Sequence, residues 1–96
     1  MVQPSLIDEI ARLLKRRDRS RAQLRRKLDG LAPAESIVRA LDEAESLGYV
    51  DDARFAKARV RGASQRLWSA ARVRADLADK GVDAALVDAA LADHDD

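Results

Sequence analysis

Cysteine is absent from the 96 residues, which excludes disulfides and thiolate metal sites alike. The single histidine, His94, sits in an acidic stretch with no second ligand of its kind beside it, so no metal is expected. No apolar run approaches the roughly 18 residues that a membrane span needs. The amino-terminal stretch also lacks the hydrophobic region of a secretory signal, and the expected compartment is the cytoplasm. Aromatics are reduced to one tryptophan, one tyrosine and one phenylalanine, and strand formers are sparse. There are four glycines and two prolines to break helices, against 19 alanines that favour them. Missing too are a carboxylate pair set apart from helix starts, a nucleophile beside a base, and a glycine-rich loop with its lysine. The chain therefore reads as a non-enzymatic protein without a cofactor.

What remains is helix, with clear punctuation. Leu6, Ile10, Leu13 and Leu14 make one apolar stripe on a first helix from Ser5 to about Arg17. Ser20 and Gln23 form a Ser-x-x-Gln capping box for a second helix, which turns Leu24 and Leu28 inward and stops at Gly30. Pro33 suits the first turn of a third, with Ile37, Leu41, Ala44 and Leu47 on one face and Gly48 as a left-handed stop. A fourth helix from Asp51 or Asp52 carries Phe55, Ala56, Val60, Ala63 and Leu67. A fifth begins at Ser69 with Val73 and Leu77 inside and ends at Gly81. A sixth, from Asp83 to about Ala92, packs Leu86, Val87, Ala90 and Leu91.

The second half repeats the first at a spacing of about 49 residues: Ser20 falls on Ser69, Leu24 on Val73, Leu28 on Leu77 and Ile37 on Leu86. The expected fold is all-α, two tandem three-helix repeats over residues 5–48 and 49–92, elongated or slightly curved, with an acidic tail over 93–96. Each repeat is small for burying its own apolar faces, so part of the stability is expected from where they meet. Tyr49 and Phe55 are expected there in a packing role, with direct binding as the other reading.

A net charge of +1 hides strong segregation. Residues 12–27 hold nine Lys or Arg and one acid, residues 28–53 seven acids and one Arg, residues 54–80 eight bases and two acids, and residues 81–96 five acids and no base. Each repeat thus pairs two basic helices with an acidic third. Ordinary solvated faces laced with i,i+4 pairs would look similar elsewhere, but in the first basic block only Asp18 is near enough in sequence to pair. Uncompensated positive charge opposes folding, and a polyanion or an acidic protein surface is the economical reason to keep it.

Three segments carry a family resemblance. Arg17-Asp18-Arg19-Ser20-Arg21-Ala22-Gln23-Leu24-Arg25-Arg26-Lys27-Leu28, then Leu47-Gly48-Tyr49-Val50-Asp51-Asp52-Ala53-Arg54-Phe55-Ala56, then Leu77-Ala78-Asp79-Lys80-Gly81-Val82 resemble, in order and spacing, the signature of the RecX family of RecA regulators. The resemblance implies a cytoplasmic protein that binds the RecA recombinase or its DNA filament and modulates, most simply inhibits, ATPase and strand exchange. Contact would run through the outward bases Arg12, Lys15, Arg16, Arg19, Arg21, Arg25, Arg26, Arg61, Arg72 and Arg74. The junction residues Gly48, Tyr49, Asp51, Asp52, Arg54 and Phe55 would be structural. A general nucleic-acid-binding helical module is the alternative. Two departures stand out. Family members commonly continue into a third repeat, whereas this sequence, a short natural form or a fragment, has two. Trp68 also stands where relatives more often show a glycine-containing turn; it either fills the gap between the fourth and fifth helices or stacks on a base or a partner.

Overall fold

The computed structural model describes residues 5–94. They form six helices: α1 (Leu6–Arg16), α2 (Arg21–Leu28), α3 (Ala34–Ser46), α4 (Asp52–Gln65), α5 (Ala70–Asp79) and α6 (Ala84–His94). The fold is all-α, in two compact units, Met1–Asp51 and Asp52–Asp96, each with its own core.

In the first unit, the Ser5 hydroxyl accepts the Asp8 N–H at 3.2 Å, and Asp8 and Glu9 in the first turn and Lys15 and Arg16 in the last complement the α1 dipole. At eight residues α2 is too short to hold by itself, so its start is pinned reciprocally. Ser20 Oγ accepts the Gln23 N–H at 3.1 Å and Gln23 Oε1 accepts the Ser20 N–H at 3.0 Å. Leu24 and Leu28 then drop into a core made by Ile10 and Leu13 of α1 and Ile37, Ala40, Leu41 and Ala44 of α3. The expected stripe fails in one place: Leu47 does not face inward but keeps 53% of its surface. Helix α3 stops there because Gly48 turns left-handed at φ +79°, and the N–H groups of Tyr49 and Val50 both return to the Ala44 carbonyl, at 2.9 and 3.3 Å. Val50 fills the buried position instead, which ties the chain to the first unit as far as Asp51, beyond the expected limit at Gly48.

The second unit packs α4 closely on α6, with α5 against both. Its core is Phe55, Ala56, Val60 and Ala63 of α4, Val73 and Leu77 of α5, Val82, and Val87 and Ala90 of α6, with Trp68, Leu86 and Leu91 half-buried around it. The Ser69 hydroxyl caps α5 by accepting the Arg72 N–H at 3.2 Å, and Asp83 Oδ1 accepts the Ala85 N–H at 2.8 Å. Leu67 is the second correction. It was expected on the buried face of α4, but the helix ends at Gln65 and the Trp68 N–H reaches back to the Ala63 carbonyl at 3.0 Å. Leu67 takes φ +62° and is 91% exposed, and Trp68 turns to the core in its place.

The repeat register also shifts. The capping serines keep the 49-residue spacing, but α5 is two residues longer than α2, and α3 and α6 begin after Pro33 and Asp83, 50 residues apart. The buried Ile37 and Ala40 therefore correspond to Val87 and Ala90, not to Leu86 and Ala89. Of the expected acidic tail, Asp93 and His94 complete α6, and Asp95 and Asp96 lie outside the described residues.

Candidate functional site

The basic helices α1, α2, α4 and α5 carry nine of the ten arginines and lysines expected to meet a partner, the tenth, Arg19, lies between α1 and α2, and their environments divide them sharply. Arg12, Lys15 and Arg16 lie on one exposed flank of α1, at i, i+3 and i+4. Arg12 is bonded to Glu9, which lowers the Glu9 carboxyl and raises the guanidinium. Arg25 and Arg26 are exposed on the last turn of α2 with Lys27, opposite the buried Leu24 and Leu28. Arg61 of α4 is exposed, as are Arg72 and Arg74 of α5. Arg74 pairs with Asp88 of α6.

Two candidates are drawn in from the surface. Arg19 is 8% exposed, and its Nε donates to the Leu13 carbonyl at 3.5 Å. Burial, and then the neighbouring charges of Arg17 and Arg16, push its pKa down. It closes the end of α1, a role that a count of basic residues conceals. Arg21 is half-buried and forks between two acids of α3, Asp42 at 2.9 Å and Glu45 at 2.8 Å. Burial alone would lower its pKa, but the bonds to Glu45 and Asp42 prevail and raise it. Asp18 is the sole acid within this block and Glu9 answers Arg12 from just before it; the acids that answer Arg21 lie 21 and 24 residues further on and are brought in by the α2–α3 packing.

In the second unit the strongest ion cluster is internal. Asp76 receives Arg59 at 2.8 Å on one oxygen and Lys80 on the other. Burial would raise its pKa, yet the Lys80 and Arg59 hydrogen bonds outweigh burial and hold it below the usual carboxylate range. Lys57 of α4 reaches Asp93 of α6 at 3.3 Å. After these pairings, Lys15, Arg16, Arg17, Arg25, Lys27 and Arg39 in the first unit, and Arg61, Arg66 and Arg72 in the second, have no carboxylate at salt-bridge distance among the described residues. Lys27 and Arg66 were not among the expected contacts. Their signal was present, since Lys27 ends the Arg25-Arg26-Lys27 run and Arg66 stands two residues before Trp68.

The junction residues sit as follows. Gly48 provides the positive φ, Asp52 opens α4, and Phe55 is buried in the second core. Tyr49 keeps 48% of its surface, and Asp51 and Arg54 are exposed. No group of three or more metal-ligating side chains occurs among the described residues, and no helix among them is long and apolar enough to cross a membrane.

The family described as RecX, second three-helix domain, matches residues 51–91, which is nearly the whole second unit. Proteins named Regulatory protein RecX are similar along most of the chain. The one from Serratia proteamaculans is 34% identical over 112 residues, covering 92% of this chain and 66% of the relative. The one from Cronobacter sakazakii is 31% identical over 99 residues, covering 92% and 60%. The chain belongs to the RecX family. A Xanthomonas oryzae pv. oryzae member is 39% identical over 82 residues, covering 83% of this chain and 51% of the relative. The chain thus spans between about half and two thirds of the length of these RecX relatives.

Proposed function

We propose that the chain is a cytoplasmic, non-catalytic regulator that binds the RecA recombinase filament on DNA and restrains its ATPase and strand exchange. The observation that carries this reading, beyond family membership, is the concentration on the basic segments of exposed cations without a carboxylate at salt-bridge distance among the described residues: Lys15, Arg16, Arg17, Arg25 and Lys27 on the first unit and Arg61, Arg66 and Arg72 on the second, against Arg39 alone on an acidic helix. Keeping like charges together without internal partners is costly, and a polyanion recovers that cost. Three-helix units with a basic outer flank also suit attachment along a repeating polymer, because several modest contacts combine.

The test compares bare single-stranded DNA, free recombinase and assembled filament as targets at matched salt. Tightest binding to the filament, together with slowed ATP hydrolysis, is expected. Should four phosphates be neutralised on a single strand, affinity should fall roughly 50-fold between 50 and 200 mM salt. Equal affinity for bare DNA and filament would favour the general nucleic-acid-binding module, and a flat salt profile would remove the phosphate contacts.

A further inference from the structure

The α4–α5 corner of the second unit leaves part of its apolar surface and two cations unused by core packing and ion pairing. Trp68, the sole tryptophan, is half-buried, and the Arg72 guanidinium lies 3.9 Å from its ring centroid. Arg66 approaches the same ring from 5.9 Å. Neither arginine has a carboxylate at salt-bridge distance among the described residues, and Asp76, the nearer in sequence of the two acids on α5, is occupied by Arg59 and Lys80. Beside the indole opens a groove of about 380 Å³ whose apolar lining is Val60, Leu67, Trp68, Ala70, Val73 and Leu91, with Ser64 and His94 at its polar side. Leu67 stands at its edge with 91% of its surface in water and a left-handed backbone. A leucine at φ +62° is strained by roughly 1–2 kcal/mol, and full exposure returns nothing in packing.

We infer that this corner is a base-stacking seat for single-stranded nucleic acid, in which an unpaired base enters the groove against Trp68 and Leu67 while Arg66 and Arg72 take the adjoining phosphates. The occupant follows from the pairing of chemistries. An apolar groove alone would accept any aliphatic side chain, and guanidinium groups alone would accept any anion. A flat aromatic group within reach of phosphate satisfies both, and every base offers a π-face. Arginine stacked on an indole also presents its own plane to a base without losing its charge. A duplex keeps its bases stacked internally and presents none to the groove, so single strands are the expected ligand. The inference rests on the reading that the basic faces meet nucleic acid, and it adds which strand form is met and by which residues.

The experiment uses the intrinsic fluorescence of Trp68 in the full chain, with no recombinase present. An oligothymidylate should quench it saturably, whereas heparin and polyglutamate, which carry charge but no bases, should bind without comparable quenching. Affinity for a labelled oligothymidylate, read by anisotropy, should weaken roughly tenfold in Trp68→Leu and be largely kept in Trp68→Phe. Equal quenching by heparin or polyglutamate, or salt-sensitive oligonucleotide binding with no quenching, overturns the seat; the second of these results leaves the phosphate contacts of the proposed function intact. Should Trp68→Leu fail to fold, the quenching comparison on the unaltered chain decides the matter.

Discussion

Helix α2 presents its core and its candidate contact surface on opposite sides within four residues, and separating the two by substitution is the sharpest mechanical test of the design. Leu24 is fully buried among Ile10, Leu13, Leu28 and Leu41, all at or near zero exposure. Truncation to alanine removes three carbons at ~0.8 kcal/mol apiece. The void they leave, walled by rigid helices, adds to that loss, for a total of roughly 3–4 kcal/mol. A chain of this size has a total stability on the order of 5–15 kcal/mol, so Leu24→Ala should lower the urea midpoint sharply. Arg25→Gln with Lys27→Gln removes two exposed charges that have no carboxylate partner among the described residues and should cost at most about 0.5 kcal/mol each, mostly through the lost interaction with the helix C-terminus. The same pair should weaken filament binding roughly tenfold or more. Urea unfolding followed by circular dichroism, and filament binding by anisotropy, give the two readouts. A double charge variant as unstable as Leu24→Ala would refute the assignment of these two residues to an outward contact surface.

Three further outcomes follow from local chemistry. Ser20→Ala should destabilise by about 1–2 kcal/mol, because Ser20 is fully buried and its hydroxyl is half of the capping box, while Ser69→Ala, at an exposed cap, should cost less than about 1 kcal/mol; thermal melts compare them directly. Asp76 has a folded pKa below its unfolded value of ~3.9, so its stabilising contribution is complete above that value and is lost as the pH falls through the folded pKa. Asp76→Asn should therefore lower stability at pH 7 by roughly 1–2 kcal/mol and flatten the decline between about pH 4 and the acid limit, as measured by urea midpoints against pH. Leu67→Gly should raise stability by roughly 0.5–1 kcal/mol by relieving the left-handed backbone, whereas Leu67→Ala should change it by less than about 0.5 kcal/mol; a loss in the glycine variant would mean that the leucine side chain is packed.

Most of the helical frame is legible in the sequence, because the signals that set it are local. Ser5, Ser20 and Ser69 act as caps, Gly30, Gly48 and Gly81 take positive φ, and Leu24, Leu28, Val73 and Leu77 face inward as the 3.6-residue period requires. The departures arise where a helix ends before its apolar pattern does. Leu47 and Leu67 continue the stripes of α3 and α4 in sequence, but hydrogen bonds back to Ala44 and Ala63 close those helices and transfer the inward position to the buried Val50 and the half-buried Trp68. The candidate surface was less legible. Local sequence shows the excess of positive charge but not which cations are answered across the unit, as Arg21 is by Asp42 and Glu45 and Arg74 by Asp88. Nor does it reveal that Arg19, in the middle of a basic run, turns inward to the Leu13 carbonyl.

The most direct test of the proposed function is amide hydrogen exchange on the chain, free and bound to recombinase filament assembled on single-stranded DNA. Added protection should concentrate in residues 12–27 and 54–80, where the basic residues cluster. Protection confined to residues 83–92 of the acidic third helix, with the basic segments unchanged, would contradict docking through the basic faces.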